Sequence, residues 1–216
     1  MTSRTPIIFT DYQTCQQVQT AYQLQYQEDN FIPERWTDTS IVFDLDFQFY
    51  ESCTNIEQSD VAKRELITLP ILKELYQNCG GVKGSPEFWI APHLKLDDQL
   101  SGTVDYLFAA QSELGRGTIG LPILVIVIHA QQNNFEVGWA HCLAALVVSD
   151  FLNQQLRPVY GIVTNGQLWE FGRLHNRLFT KHPVSYDITD LNKLFFMLNG
   201  FFDLATQDLS TVIASK

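Results

Sequence analysis

The chain has 216 residues and is 45% hydrophobic, which suits one compact domain with a substantial core rather than two independent domains. Its 14 Lys and Arg stand against 24 Asp and Glu, and the net charge of −10 repels polyanions unless the basic residues gather on one face. Cys15, Cys53, Cys79 and Cys142 form no CxxC or CxxH pair, which argues against both a zinc knuckle and a disulfide framework. The opening MTSRTPIIF lacks a long apolar run with a cleavage site, and Gly120 to Ile128 is too short and β-branched to span a bilayer. The expectation is a cytoplasmic protein with no membrane partner.

In chain order, Asp11 is placed to cap a helix running to about Asp29, with Tyr12, Cys15, Val18, Tyr22 and Tyr26 on one face. IVFDLDFQFYESC alternates Val42, Asp44, Asp46 and Gln48 with Phe43, Leu45, Phe47 and Phe49, a strand-like period of two. A second helix opens at Ser59 or Asp60, carries the stripe Val61, Leu66, Leu69, Leu72 and Leu75, and meets a kink at Pro70. Gly80, Gly81 and Gly84 mark a loop. Phe88 to Leu96 and Thr103 to Ala109 then read as an antiparallel pair joined by DDQLSG.

ILVIVIHA is too continuously apolar for an edge strand and is expected at the centre of a sheet, covered on both faces. The helix of about Phe135 to Asn153 is apolar nearly all round and should be deeply packed. VYGIVTNGQLWEF reads as a hairpin turning at Asn165-Gly166, and it is followed by a strand from Leu178 to Tyr186 and a helix from Asp190 to Ala205. The whole is α/β with a mixed central sheet flanked by helices, a single domain over 1–216. Within it, 1–58 form an accessory helix and strand, 59–186 the core, and 187–216 the closing helix and tail.

Asp105, in GTVDYLFA, sits in a β-rich context where a carboxylate either faces water or is held for a purpose. His129 and Gln131 end the apolar strand and point to one side of it, with Ala130 to the other. A carboxylate and an imidazole together suit a divalent transition metal, and Glu65 on the second helix is the candidate third ligand, against the plainer alternative of a surface ion pair. His141, mid-helix among apolar neighbours, reads as a covered structural histidine. No GxxxxGK[ST], GxGxxG after a strand, or GxSxG is present. Arg173, Arg177 and Lys181 thicken the basic charge late in the chain, and Trp169 would stack on a base if it were exposed, so a weak nucleic-acid contact is a further candidate.

The succession GTVDYLFA, LPILVIVIHAQ, an apolar helix and VYGIVTNGQLWEF resembles the PD-(D/E)xK nuclease superfamily. It is most similar to restriction-endonuclease-like domains found as stand-alone bacterial proteins and near the start of type I restriction motor subunits. The likeness spans about Glu65 to Phe171. It implies a restriction-endonuclease-like core over 59–186, a metal-binding aspartate at Asp105, an acidic helix residue at Glu65, and a strand that ordinarily ends in Glu-x-Lys. Here that triplet is His129, Ala130, Gln131. In the usual pattern two carboxylates hold a hard cation and the lysine orients or activates water. Histidine for glutamate removes one negative ligand, and glutamine for lysine removes the proton-transfer group.

The resemblance therefore implies a degenerate site at Asp105, His129, Gln131 and Glu65, and a non-catalytic binding or assembly role. The alternative is a nuclease using Mg²⁺ or Mn²⁺ on Asp105, His129 and Glu65. A third reading is a homodimer or other interaction module, motivated by the apolar runs FDLDFQFY and LFFMLNGFF.

Overall fold

The computed structural model describes residues 7–53, 55–56, 59–78, 85–96, 100–115, 117–207 and 209. The glycine loop expected at Gly80, Gly81 and Gly84, the first half of the DDQLSG connection and the tail past 209 lie outside them. After strand β1 (Ile7–Ile8), helix α1 covers Cys15–Tyr22. Its cap is Thr14, whose hydroxyl accepts from the Gln17 amide at 3.4 Å while the Gln17 side chain accepts from the Thr14 amide at 3.2 Å. Asp11, expected as the cap, instead accepts from the Ile8 amide. The helix also stops before Asp29: Gln23 turns left-handed at φ 54, and Gln25–Glu28 become strand β2.

The expected strand IVFDLDFQFYESC is helix α2, Ile41–Cys53. Two physical facts overturn the alternation. Ser40 caps the first turn by accepting from the Phe43 amide at 3.2 Å, and Glu74, buried, accepts from the Ser40 amide at 2.6 Å and hydroxyl at 2.9 Å. Phe43 and Phe47, one turn apart, then stack with centroids at 5.4 Å, and Phe43 meets Phe195 edge-on at 5.2 Å.

Helix α3 (Asp60–Lys63), a π turn (Arg64–Thr68) and helix α4 (Leu69–Asn78) follow one another. Pro70 offers no N–H to the turn before it, and the chain widens there, with the Leu69 amide reaching the Arg64 carbonyl. Strands β3 (Glu87–Ile90), β4 (His93–Lys95), β5 (Leu100–Thr103) and β6 (Tyr106–Ala109) divide each of the two expected strands in two. Strand β3 pairs with β6 and β4 with β5, both antiparallel, while β1 joins β5 in a separate small sheet.

Strand β7 (Ile123–His129), helix α5 (Phe135–Leu152), and strands β8 (Val159–Thr164), β9 (Leu168–His175), β10 (Leu178–Lys181) and β11 (Tyr186–Asp187) precede helix α6 (Leu191–Thr206). Among the described residues the main sheet has the order β2-β10-β9-β8-β7-β6-β3, with β11 beside β9. Strands β7 and β8 are parallel through the α5 crossover, and β7 pairs antiparallel with β6. The protein is α/β, with a mixed sheet flanked by helices on both faces.

Every residue of β7 is buried, as its unbroken apolar run requires of a strand covered on two sides. One face carries Ile126, Ile128 and Ala130 into a cluster with α5, α1 and the small sheet; the other carries Val125 and Val127 into a cluster with α2, α4 and α6. Helix α5 is long and apolar enough to cross a membrane by composition, but it lies between the sheet and α1, which accounts for that composition. Gly138 lets it approach closely, since a Cβ there would stand 2.8 Å from Val163 Cγ1.

Candidate functional site

The polar end of β7 is assembled from the strand, the start of the α3–α4 helix, and two loops. The pairing of β6 with β7 sets Tyr106 opposite Val127, and continued regularly it would set Val104 opposite His129. The chain leaves that line earlier. The Asp105 carbonyl accepts from the Ala91 amide at 2.8 Å, and the Val104 amide bonds to the Pro92 carbonyl at 3.2 Å. Asp105 Oδ2 then accepts from the His129 amide at 2.8 Å, so a side chain serves as the acceptor that the departing backbone no longer provides. The carboxylate and His129 are thus brought together on one edge.

Asp105 Oδ1 faces Arg64 Nη1 at 3.5 Å, and Arg64 Nε donates to Glu65 Oε1 at 3.1 Å. The guanidinium therefore lies between the two carboxylates proposed as metal ligands. Burial works against its charge, but Glu65 and Asp105 more than offset that and hold it protonated. The Arg64 carbonyl also accepts from the Tyr106 hydroxyl at 3.3 Å, which pins the π turn to β6. Glu65 itself is exposed, and Gln131 is exposed in a single 3-10 turn beyond the strand. Ala130 turns the other way, into the packing under α5.

The His129 ring is buried, and among the described residues neither nitrogen has a hydrogen-bond partner. Burial lowers its pKa, opposed by the Asp105 and Asp60 carboxylates, so the ring is neutral at neutral pH. Two loops close the edge around it. Asp60 accepts from the Gln132 amide at 2.8 Å, and Asn165 donates to the Asn133 side chain at 2.7 Å. Asn165 also accepts from the Gln167 and Leu168 amides, so the β8–β9 connection is an Asx-type turn over Asn165, Gly166 and Gln167, one residue longer than the expected two-residue turn.

A divalent cation fits this donor set poorly. Among the described residues no three His, Cys, Asp or Glu side chains converge so as to hold a metal. Asp105 spends one oxygen on a backbone N–H and faces an arginine with the other, and Glu65 is drawn out to Arg64.

The late basic residues do not form one face. Arg173 lies 4.4 Å from the Phe31 ring and 3.8 Å from Asp29, on the α6 side of the sheet. Lys181 pairs with Glu170 at 2.9 Å and lies 5.2 Å from the Trp139 ring, on the α5 side. Arg177 is exposed at the β9–β10 turn. Trp169 is fully buried and donates to the Gly166 carbonyl at 3.1 Å, so its ring is not available for stacking on a base. Burial pushes the Cys15 thiol up to about 11 and raises the Cys142 thiol well above its ordinary value, which disfavours the thiolate at both.

Three residues of this edge escape sequence reasoning: Asp60 as a loop clamp, Asn165 as a bridge, and Lys63, which is buried beside them. The signal for Lys63 was present, because it falls four residues before Ile67 and eight before Ile71 on the buried stripe of the helix. No protein-family model matches this chain, and no curated protein matches it.

Proposed function

We propose that the chain is a PD-(D/E)xK-like protein whose catalytic edge has become a structural joint, and that it acts by binding or assembly without hydrolysis. The observation that carries this reading is the hydrogen bond from the His129 amide to Asp105, with Arg64 on the other carboxylate oxygen. The group that would hold a metal in the superfamily is here committed to protein partners. The succession of helix, aspartate-bearing hairpin, buried strand, crossover helix and parallel strand supports the superfamily reading. The exposed apolar face of α2, with Ile41, Val42, Leu45 and Phe49, supports a role in assembly.

The test is a cleavage assay on duplex and single-stranded DNA and on RNA, in Mg²⁺ and in Mn²⁺, with Asp105→Ala alongside. The expected result is no cleavage by either protein, with no saturable metal uptake in equilibrium dialysis. Cleavage that depends on metal and disappears in both Asp105→Ala and His129→Ala would overturn the reading in favour of an active nuclease. Size-exclusion chromatography with light scattering, comparing wild type with Leu45→Glu, tests whether assembly occurs through α2.

A further inference from the structure

Between Arg35 and Lys63 the chain carries six carboxylates, Asp38, Asp44, Asp46, Glu51, Glu57 and Asp60, and no Lys, Arg or His. Helix α2 lies within that stretch. Its inner side is covered, because Phe43, Phe47 and Tyr50 pack into the cluster with α4 and α6. Its outer side is apolar as well. Ile41, Val42, Leu45 and Phe49 are between 60% and 76% exposed, and their spacings of three and four set them on one continuous stripe. The helical period places Asp46 at one border of that stripe and Asp44 at the other. Asp46 is exposed, and Asp44 accepts from the Thr39 hydroxyl at 2.7 Å.

A groove of about 300 Å³ adjoins the stripe, between α2 and the π turn with α4. Val42, Tyr50, Leu66 and Leu69 line it, with Asp46 and Glu65 set against Lys73. Single apolar side chains scattered over a surface are ordinary, but four that run together on one helix face mark an interaction surface.

The charges select what covers it. A second copy presenting the same face would set the carboxylates of one stretch against those of the other, and an anionic lipid surface would meet the same repulsion. A positively charged partner is attracted instead. We infer that α2 and the adjoining groove dock a basic amphipathic helix of a partner protein, its apolar residues on the stripe and its Lys or Arg side chains along the borders held by Asp44 and Asp46. This rests on the reading of the chain as a binding protein that uses α2, and it names the chemistry of the partner.

The test is fluorescence anisotropy, with the intact chain titrated into labelled model peptides: one of Leu and Lys in amphipathic helical order, one with every Lys replaced by Glu, and one with the Leu and Lys shuffled so that no apolar face forms. The ordered Leu/Lys peptide is expected to bind saturably, about tenfold or more tightly than either of the others. Leu45→Ser should weaken it about tenfold, as the loss of one buried leucine side chain does, and Asp46→Lys about two- to fivefold. Both side chains face water in the free protein, so neither change disturbs the core. The same charge reversal at the exposed Glu28, on the edge strand β2, should leave binding unchanged. Equal binding of the shuffled or the Leu/Glu peptide, or a loss in Glu28→Lys as large as that in Asp46→Lys, would overturn the inference. Co-sedimentation with phosphatidylcholine vesicles that is lost in Leu45→Ser would overturn it in favour of a lipid surface. A dimer in light scattering that Leu45→Glu dissolves would overturn it in favour of a second copy, leaving α2 as an assembly surface, and a strict monomer that binds no peptide would overturn both.

Discussion

Lys63 and Arg64 are neighbours at the start of one helix, yet their surroundings treat positive charge in opposite ways. Arg64 is half-exposed and lies between Glu65 and Asp105, so its charge is answered within the protein. Lys63 packs its stem against the β8–β9 turn and has no ion pair among the described residues. The difference teaches how this edge is held: Asp105 and Arg64 are committed to partners within the protein, whereas neither nitrogen of the buried His129 ring has one among the described residues.

The largest expected effect breaks the first half of that comparison. Asp105→Ala strands the His129 amide and removes a partner of Arg64, and should cost about 1–3 kcal/mol in urea unfolding. Asp105→Asn keeps a carbonyl acceptor and should cost less than about 1 kcal/mol. Equal losses in the two variants would mean that the negative charge, rather than the strand-capping acceptor, is what the edge requires.

Lys63→Met sharpens the other half. It removes an ammonium that has no ion pair among the described residues while keeping the stem against Gly166, and should change the stability by about 1 kcal/mol at most. A destabilised variant would point to an internal partner for the ammonium.

The acid limb of stability gives a third measure. Burial holds His129, His141 and His182 below the ordinary histidine value of 6.5. The unfolded chain therefore takes up these protons first as the pH falls. Stability from these groups is complete above 6.5 and is lost as the pH drops through their lowered folded values. Melting curves on either side of 6.5 should show this decline, and His129→Leu should flatten it. The smallest effect is expected from Arg64→Met, within about 1 kcal/mol, because an exposed ion pair is screened by water.

Much of the core was legible. The unbroken run of β7 and the all-round apolar surface of α5 each demand cover on every side, and they receive it. Helix α2 was misread because Phe43, Leu45, Phe47 and Phe49 satisfy a period of two, while the positions that matter are Phe43 and Phe47 at a spacing of four. Its helical signals lay just upstream, in Thr39 and Ser40 with Asp44 in the first turn. At the candidate site, the approach of Asp105 to His129 followed from strand order, but the atom it binds did not. That the partner is a backbone amide depends on where β6 leaves β7, which is set by the competing bonds of Val104 and Asp105 to Pro92 and Ala91.

The amino-acid sequence by itself determined the α/β class, the central buried strand, the crossover helix and the turn at Gly166, since burial on two faces and left-handed backbone geometry select residues locally. Only the tertiary structure decided that Asp105 would cap a strand, that Arg173 and Lys181 would lie on opposite faces of the sheet, and that the Lys63 stem would pack against the β8–β9 turn. Each of these depends on groups brought together from distant parts of the chain, and the free energy of such a contact belongs to the packed arrangement rather than to either segment.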